Sequence, residues 1–214
     1  MAIKLNMQKT ERILFCASKW WGDPDMPENM QYPTIEVKDE DGEIIDYPLT
    51  FICQINCEDL IPFDSEGKLP HEGMLYFFGA IDEFVGYESM THDGVGEWPK
   101  GRFVVKYAKN INFETFQSCM LVDDEDQTLT EPEMEIIFTE CDNSAEGIKM
   151  LGFPTEEKVR ESYSEYLNLL QLTSSQEAGI EFPDGSAGIC LMMKESDMKY
   201  GNWKKTKAYL CPEA

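Results

Sequence analysis

Phe51-Ile52-Cys53-Gln54-Ile55 is an apolar run with one amide in it, and Leu169-Leu170-Gln171-Leu172 is another. The β-branched and aromatic content of the first predicts a strand over Leu49–Ile55. Strict alternation would put Phe51, Cys53 and Ile55 on one face and Ile52 and Gln54 on the other. Working outward, the same landmarks flank both runs in the same order. Gly22-x-Pro24 precedes the first, Gly73-x-Leu75-x-Phe77 follows it, and Trp98 leads into Phe103-Val104-Val105. Gly152-x-Pro154 precedes the second, Gly188-x-Cys190-x-Met192 follows it, and Trp203 leads into Ala208-Tyr209-Leu210. Four landmarks in one order predict an internal duplication, with repeats over approximately 12–109 and 134–211 of a single unit spanning 1–214. The expected class is α+β: two pseudo-repeated halves with mainly antiparallel or mixed sheets and few short helices.

The remaining elements follow from local signals. Arg12–Ala17 reads as a short strand. Asp39-Glu40-Asp41-Gly42 between Ile35–Val37 and Glu43–Ile45 is a hairpin signal. Asn56 is placed to cap one helical turn reaching Leu60. Gly73–Phe78 is apolar on both faces and is expected to be covered on both. Met134–Phe138, Leu167–Leu172, Gly188–Met193 and Lys205–Cys211 read as strands, and Ser196–Lys199 as a helical turn. Thr155 opens a helix, with Glu156 and Glu157 suited to its positive end and Val159, Tyr163 and Tyr166 at helical spacing.

Composition excludes several function classes. The chain has 214 residues, with 18 Lys and Arg against 41 Asp and Glu, for a net charge of −23. Neutralising phosphates needs a basic surface, so nucleic acid is not expected as a partner, and neither is an anionic membrane. No apolar run reaches the length of a membrane span, and Met1–Asn6 lacks the apolar stretch of a signal peptide. The expected location is the cytoplasm. Seven cysteines at irregular spacing, without a CxxC pair, read as reduced and mostly buried thiols. Two histidines, His71 and His92, give no zinc spacing. No metal, cofactor or catalytic set is expected.

The residues singled out are Trp20, Trp21, Gly22, Pro24, Gln54, Gly152, Pro154 and Gln171. Gly supplies φ > 0 and Pro fixes φ, so each Gly-x-Pro shapes a loop. A Gln inside an apolar strand carries donors and an acceptor that need partners once buried. Two roles fit Gln54 and Gln171: bonding backbone groups of the Gly-x-Pro loops, or lining a ligand site. Consecutive Trp20 and Trp21 point apart on an extended chain. Both enter one core only through a bent backbone; otherwise one meets solvent or a partner.

Other groups read as scaffold. Gly94–Gly101 fits no phosphate-loop pattern. Asp39–Glu43 lacks the full calcium-loop ligand set. Asp123-Asp124-Glu125-Asp126 is a solvated acidic loop, within a stretch from Asn110 to Ile148 that holds eleven acidic residues and no Lys or Arg. Cys53 or Cys57 with His71 has no catalytic-cysteine signature, and His92 has no serine motif beside it. Lys204, Lys205 and Lys207 form a small basic face that balances local acid.

The quoted motifs resemble the bacterial YwqG-like family, a family of unknown function. The likeness rests on Gly22-Asp23-Pro24-Asp25-Met26-Pro27, Phe51–Ile55 and Gly73-Met74-Leu75-Tyr76-Phe77-Phe78. In the second half it rests on Leu151-Gly152-Phe153-Pro154, Leu169–Leu172, Glu177-Ala178-Gly179 and Gly188 onward. It spans Arg12–Cys211, with Tyr32-Pro33 where the family carries Trp-Pro and with a shortened N-terminal region. The resemblance implies an α+β fold of two similar halves, transfers no catalytic residue, and hints at an immunity-like role near bacterial toxins. Two function classes therefore stand: a non-catalytic protein-interaction module, toxin-neutralising and suited by its acidity to a basic protein partner, or a small-molecule binder or enzyme with a cleft between the halves.

Overall fold

The computed structural model describes residues 1–38, 41–81, 96–123, 125–182 and 186–212. In chain order the strands are β1 (Ala2–Gln8), β2 (Lys19–Trp20), β3 (Asp25–Pro27), β4 (Thr34–Lys38), β5 (Ile44–Pro48), β6 (Thr50–Asn56) and β7 (Met74–Gly79). They continue as β8 (Gly96–Glu97), β9 (Phe103–Ala108), β10 (Phe116–Ser118), β11 (Met134–Cys141), β12 (Lys149–Met150), β13 (Leu167–Thr173), β14 (Ser186–Met193) and β15 (Lys207–Pro212). The described residues also form two short helices, α1 (Glu157–Ser162) and α2 (Glu195–Lys199), and 3-10 turns at Cys57–Leu60 and Trp203–Lys205.

The α+β expectation is corrected: with 41% strand and 10% helix, this is a mainly β protein built on a curled antiparallel sheet. The helical spacing of Val159, Tyr163 and Tyr166 misled. The helix lasts six residues, buries only Val159, and is capped at Tyr163. Too few apolar positions face inward for a helical layer to cover a sheet face.

Eleven strands form one sheet in the order β8-β15-β14-β13-β12-β1-β11-β2-β6-β7-β9. β1 and β11 lie side by side at the middle, paired from Ala2↔Cys141 to Gln8↔Glu135. Outward from them the order is matched: β2, β6, β7 and β9 on one side, β12, β13, β14 and β15 on the other. β1 also pairs with β12, and β11 with β2, so each lead strand joins the far half. The strand expected over Arg12–Ala17 is a turn region instead, where Ile13 is exposed and Cys16 takes φ 56°. The lead strand is β1.

The sheet has to curl. Flat, eleven strands about 4.8 Å apart would span roughly 48 Å. β8 and β9 sit at opposite ends of the order, yet the residues between them reach roughly 20 Å at most. The two ends meet through tilted ring contacts: Trp98 with Phe103 at 5.1 Å and Tyr107 with Trp203 at 5.1 Å between centroids. Inside the curl lies the main core, including Ile3, Leu5, Trp20, Trp21, Leu75, Phe77, Leu170 and Leu191. A second cluster (Met26, Phe51, Tyr76, Phe78, Phe116) covers the other face of the first half, and a small third one (Val159, Cys190, Met192, Cys211) that of the second. β7 is buried on both faces, as its composition predicts.

A bulge separates Phe51 from Cys53, and another separates Asn168 from Leu170. The first resets the expected alternation. Ile52, Cys53 and Ile55 enter the main core, while Phe51 faces the second cluster. The turn at Asn56 forms as expected, its side chain accepting from Glu58 N at 3.1 Å. The hairpin β4–β5 also forms; its tip, Asp39-Glu40, lies outside the described residues. No helix among the described residues is long and apolar enough to cross a membrane.

Candidate functional site

β2 delivers Lys19 and Trp20, and the chain then turns through two successive left-handed residues, Trp21 (φ 57°) and Gly22 (φ 73°). β12 delivers Lys149 and Met150, followed by Leu151 (φ 59°) and Gly152 (φ 68°). A left-handed non-glycine residue costs of order 1–3 kcal/mol and persists only where its surroundings hold it. The glycines are needed twice over. A Cβ on Gly22 would lie 2.7 Å from Cβ of Glu133, and one on Gly152 2.7 Å from Cβ of Ala2.

The turn answers the question raised by two adjacent tryptophans. With Trp21 left-handed, both indoles enter the main core and meet edge to face at 5.4 Å. Both Nε1 groups donate to one acceptor, the Ala178 carbonyl, at 2.7 Å each. The Glu177-Ala178-Gly179 turn of the second half is thereby tied to the first.

Gln54 and Gln171 hold the two Gly-x-Pro loops with the same pair of bonds. Gln54 Nε2 donates to Ala17 O at 2.9 Å, and its Oε1 accepts from Asp25 N at 2.8 Å. Gln171 Nε2 donates to Gly147 O at 3.0 Å, and its Oε1 accepts from Thr155 N at 3.0 Å. Ala17 and Gly147 each stand two residues before the buried lysine; Asp25 and Thr155 each follow the proline. Lys19 faces Gln54 and Lys149 faces Gln171 across the sheet.

The side chains then differ. Asp25 is fully buried. Its Oδ2 accepts from Cys16 N (2.9 Å), Gln54 Nε2 (2.8 Å) and Lys19 Nζ (2.9 Å), and its Oδ1 from Ser118 Oγ (2.6 Å). Tyr76 Oη donates to the Asp25 carbonyl at 2.7 Å. Glu133 adds a second, partly exposed carboxylate 3.2 Å from Lys19. Burial, and then the Asp25 charge, push the Cys16 thiol up to about 11. Every oxygen of the Asp25 carboxylate is engaged, which is what makes a buried charge tolerable. In the second loop Thr155 is exposed and adds its Oγ1 to Gln171 Oε1 at 3.1 Å. Lys149, although fully buried, donates to two backbone carbonyls, Asn143 O at 3.0 Å and Ala145 O. Burial holds its pKa below the ordinary lysine value.

Beside Trp21 and Gly22 opens a cleft of about 350 Å³. Its lining includes Tyr47 and Phe51, Gly179, Ile180 and Glu181, and Leu129, Thr130 and Glu131. Leu121 and Leu129, which also line it, belong to a small hairpin in which Val122 bridges Thr128 and Leu129 N bonds Leu121 O. Met120, Val122 and Leu129 are exposed on it. Its turn is set by Asp123 Oδ1, which accepts from Glu125 N and Gln127 N at 2.8 Å each; Asp124 lies outside the described residues.

The other sequence candidates separate. His71 Nε2 is 3.2 Å from Asp64 Oδ2, while the Cys57 thiol turns to Ile55 O and is pushed up to about 12 by burial. Lys205 pairs with Asp197 and Lys207 with Glu97. His92 and Gly94-Val95 lie outside the described residues. Among the described residues, no three His, Cys, Asp or Glu side chains gather as metal ligands.

Sequence reasoning missed Lys19, Lys149, Asp25 and the Ala178 carbonyl. The lysines had a signal: each stands three residues before the loop glycine, extending the repeat to Lys-x-x-Gly-x-Pro. The carbonyl had none, because a backbone acceptor has no sequence signature.

These features define a class: a curled antiparallel sheet whose two Gly-x-Pro loops are each held by a strand glutamine, with a cleft beside one of them. The family model described as Domain of unknown function (DUF1963) matches residues 18–210, and the chain belongs to that family. No curated protein matches the chain.

Proposed function

We propose that this protein is a non-catalytic interaction module that captures a basic protein partner, the cleft beside Trp21 receiving a projecting side chain of that partner. One observation carries the reading: a cleft lined by Trp21, Tyr47 and Phe51, with Glu131 and Glu181 also in its lining, lies next to a hairpin that exposes Met120, Val122 and Leu129. Apolar anchor points within an acidic field suit a partner that is steered by charge and held by contact. The net charge of −23 supports fast association with a cationic surface. The ionisable groups around the Gly-x-Pro loops are committed to one another and to backbone, which favours scaffold over catalysis for Trp20, Gly22, Pro24, Gln54, Gly152, Pro154 and Gln171. We further infer a duplicated unit, for which the matched strand order and matched glutamine bonds speak. The YwqG-like motifs favour that bacterial group within the family and a toxin-neutralising role. Seven free cysteines suit a reducing cytoplasm.

The test is capture of a partner from the native host, followed by kinetics. Association should slow as ionic strength rises. Leu129→Arg, at an exposed site, should abolish binding while circular dichroism stays unchanged. If the partner is a toxin, co-expression should restore growth. Association indifferent to salt, or full binding by L129R, overturns the reading. A second reading, a small-molecule binder, draws on the participation of both halves in the cleft. It expects a compound in the extract of denatured protein, detected by mass spectrometry.

A further inference from the structure

The row of outward-facing residues that crosses the second half contains one thiol and lies beside another. Lys149 faces Gln171, Gln171 faces Cys190, and Cys190 faces Tyr209 on β15. Cys211 stands two residues beyond Tyr209, on the same face. Its Sγ is 3.5 Å from that of Cys190. The equivalent row of the first half runs Lys19, Gln54, Tyr76, Lys106. There a phenol bonded to the Asp25 carbonyl stands where Cys190 stands in the second half.

The two thiols belong to the small cluster with Val159 and Met192. Each is poorly engaged: Cys190 Sγ reaches Gln171 Oε1 at 3.8 Å, and Cys211 Sγ reaches Tyr209 O at 3.7 Å. Thr155, which bonds the same Gln171 oxygen, is exposed, so this cluster lies one side chain below the surface. Cys211 is the outer member, 5% exposed against 1% for Cys190.

We propose that Cys190 and Cys211 are a redox-active pair, oxidised to a disulfide by small-molecule disulfides and reduced again by thiols. The Cys211 thiolate attacks one sulfur of the oxidant, whose S–S bond breaks. One oxidant thiolate leaves and takes up a proton. The Cys190 thiolate then attacks the Cys211 sulfur of the mixed disulfide and expels the second oxidant thiolate, which is also protonated. Two protein thiols and one small disulfide become one protein disulfide and two small thiols. The bond would fasten β14 to β15, the strand that carries β8 and with it one of the two sheet ends that meet. This inference is independent of the partner reading.

The experiment exposes the full-length native protein to oxidised glutathione. Non-reducing peptide mapping should find Cys190 linked to Cys211. Two of the seven thiols should be lost, the intact chain should be lighter by two hydrogens, and dithiothreitol should restore both. The oxidised form should unfold at a higher denaturant concentration. Cys190→Ala should trap glutathione on Cys211, and Cys211→Ser should leave Cys190 unmodified. Seven titratable thiols after exposure, or a bridge joining any other pair, overturns the proposal. The wild-type mapping decides the matter even where a variant fails to fold.

Discussion

The loop after β2 and the loop after β12 share a backbone but not an electrostatic solution. Each has a buried lysine, two left-handed residues, a Gly-x-Pro, and a glutamine that clasps the loop at the same two points. In the first loop the residue after the proline is Asp25, which opens β3, pairs with Ser118 of β10 and is bonded on both oxygens. In the second it is Thr155, exposed, and the chain goes on into α1 where the first loop makes β3. The clasp therefore belongs to the fold, and the ion pair is an addition made possible by burial. At the exposed Thr155 position a carboxylate would be solvated and would contribute little.

That contrast is most exposed to Asp25→Ala. It leaves the buried Lys19 with only the partly exposed Glu133 as a carboxylate partner and removes the acceptor for Cys16 N, so a loss of about 3 kcal/mol is expected. Thr155→Ala should cost about 1 kcal/mol, the worth of one partly solvated hydrogen bond. Urea unfolding midpoints measure both; similar losses would show that the ion pair is no special addition.

The glycines test the other side, the sameness of the backbones. Gly22→Ala and Gly152→Ala each force a Cβ to within 2.7 Å of another Cβ, at φ 73° and 68°. Each should lose about 2–3 kcal/mol, and the two losses should agree. A tolerated substitution at only one would mean that the second loop is held less firmly than its geometry indicates.

Gln54→Leu should be worse than Gln171→Leu. The first orphans Asp25 N and Ala17 O in a closed environment, at about 1–3 kcal/mol, while water can replace part of what Gln171 gives Thr155. Equal losses, read by thermal and urea unfolding, would count against solvent access as the difference between the loops.

Several strands and the two loop signatures were legible in the sequence, whereas the mainly β class was not. Gln54 and Gln171 stand out because an amide in an apolar strand has few other employments, and Gly-x-Pro because both residues restrict φ. What stayed hidden depended on distance. β1 looked like an undistinguished N-terminus because its partners, β11 and β12, come from the far half of the chain. The bulge at Ile52 reversed an alternation that the sequence followed faithfully. Lys19 and Lys149 drew no reading because nothing local says that a lysine will find its acceptors inside. The cleft joins Leu129, Trp21 and Ile180, three segments that only the curl of the sheet brings together.

The smallest expected effect concerns Lys149, whose neutral form is favoured by burial. Its unfolded pKa is the ordinary 10.5 and its folded pKa is lower. Between the two values the unfolded chain holds the proton more tightly than the folded one, so stability rises with pH through that window. The stability is fully present above 10.5 and is lost as pH falls through the folded value. Lys149→Met removes this dependence along with two bonds to backbone carbonyls, and the Met side chain fills much of the same volume. Near neutral pH the variant should therefore lie within about 1 kcal/mol of the wild type. Lys19→Met, which strands Asp25, should be far less stable. Denaturant midpoints in a pH series should show the Lys149→Met variant losing ground to the wild type as pH rises towards 10.5. A difference that stays flat, or that runs the other way, would mean that Lys149 is held charged by its carbonyls, and the two lysines would then be more alike than their partners.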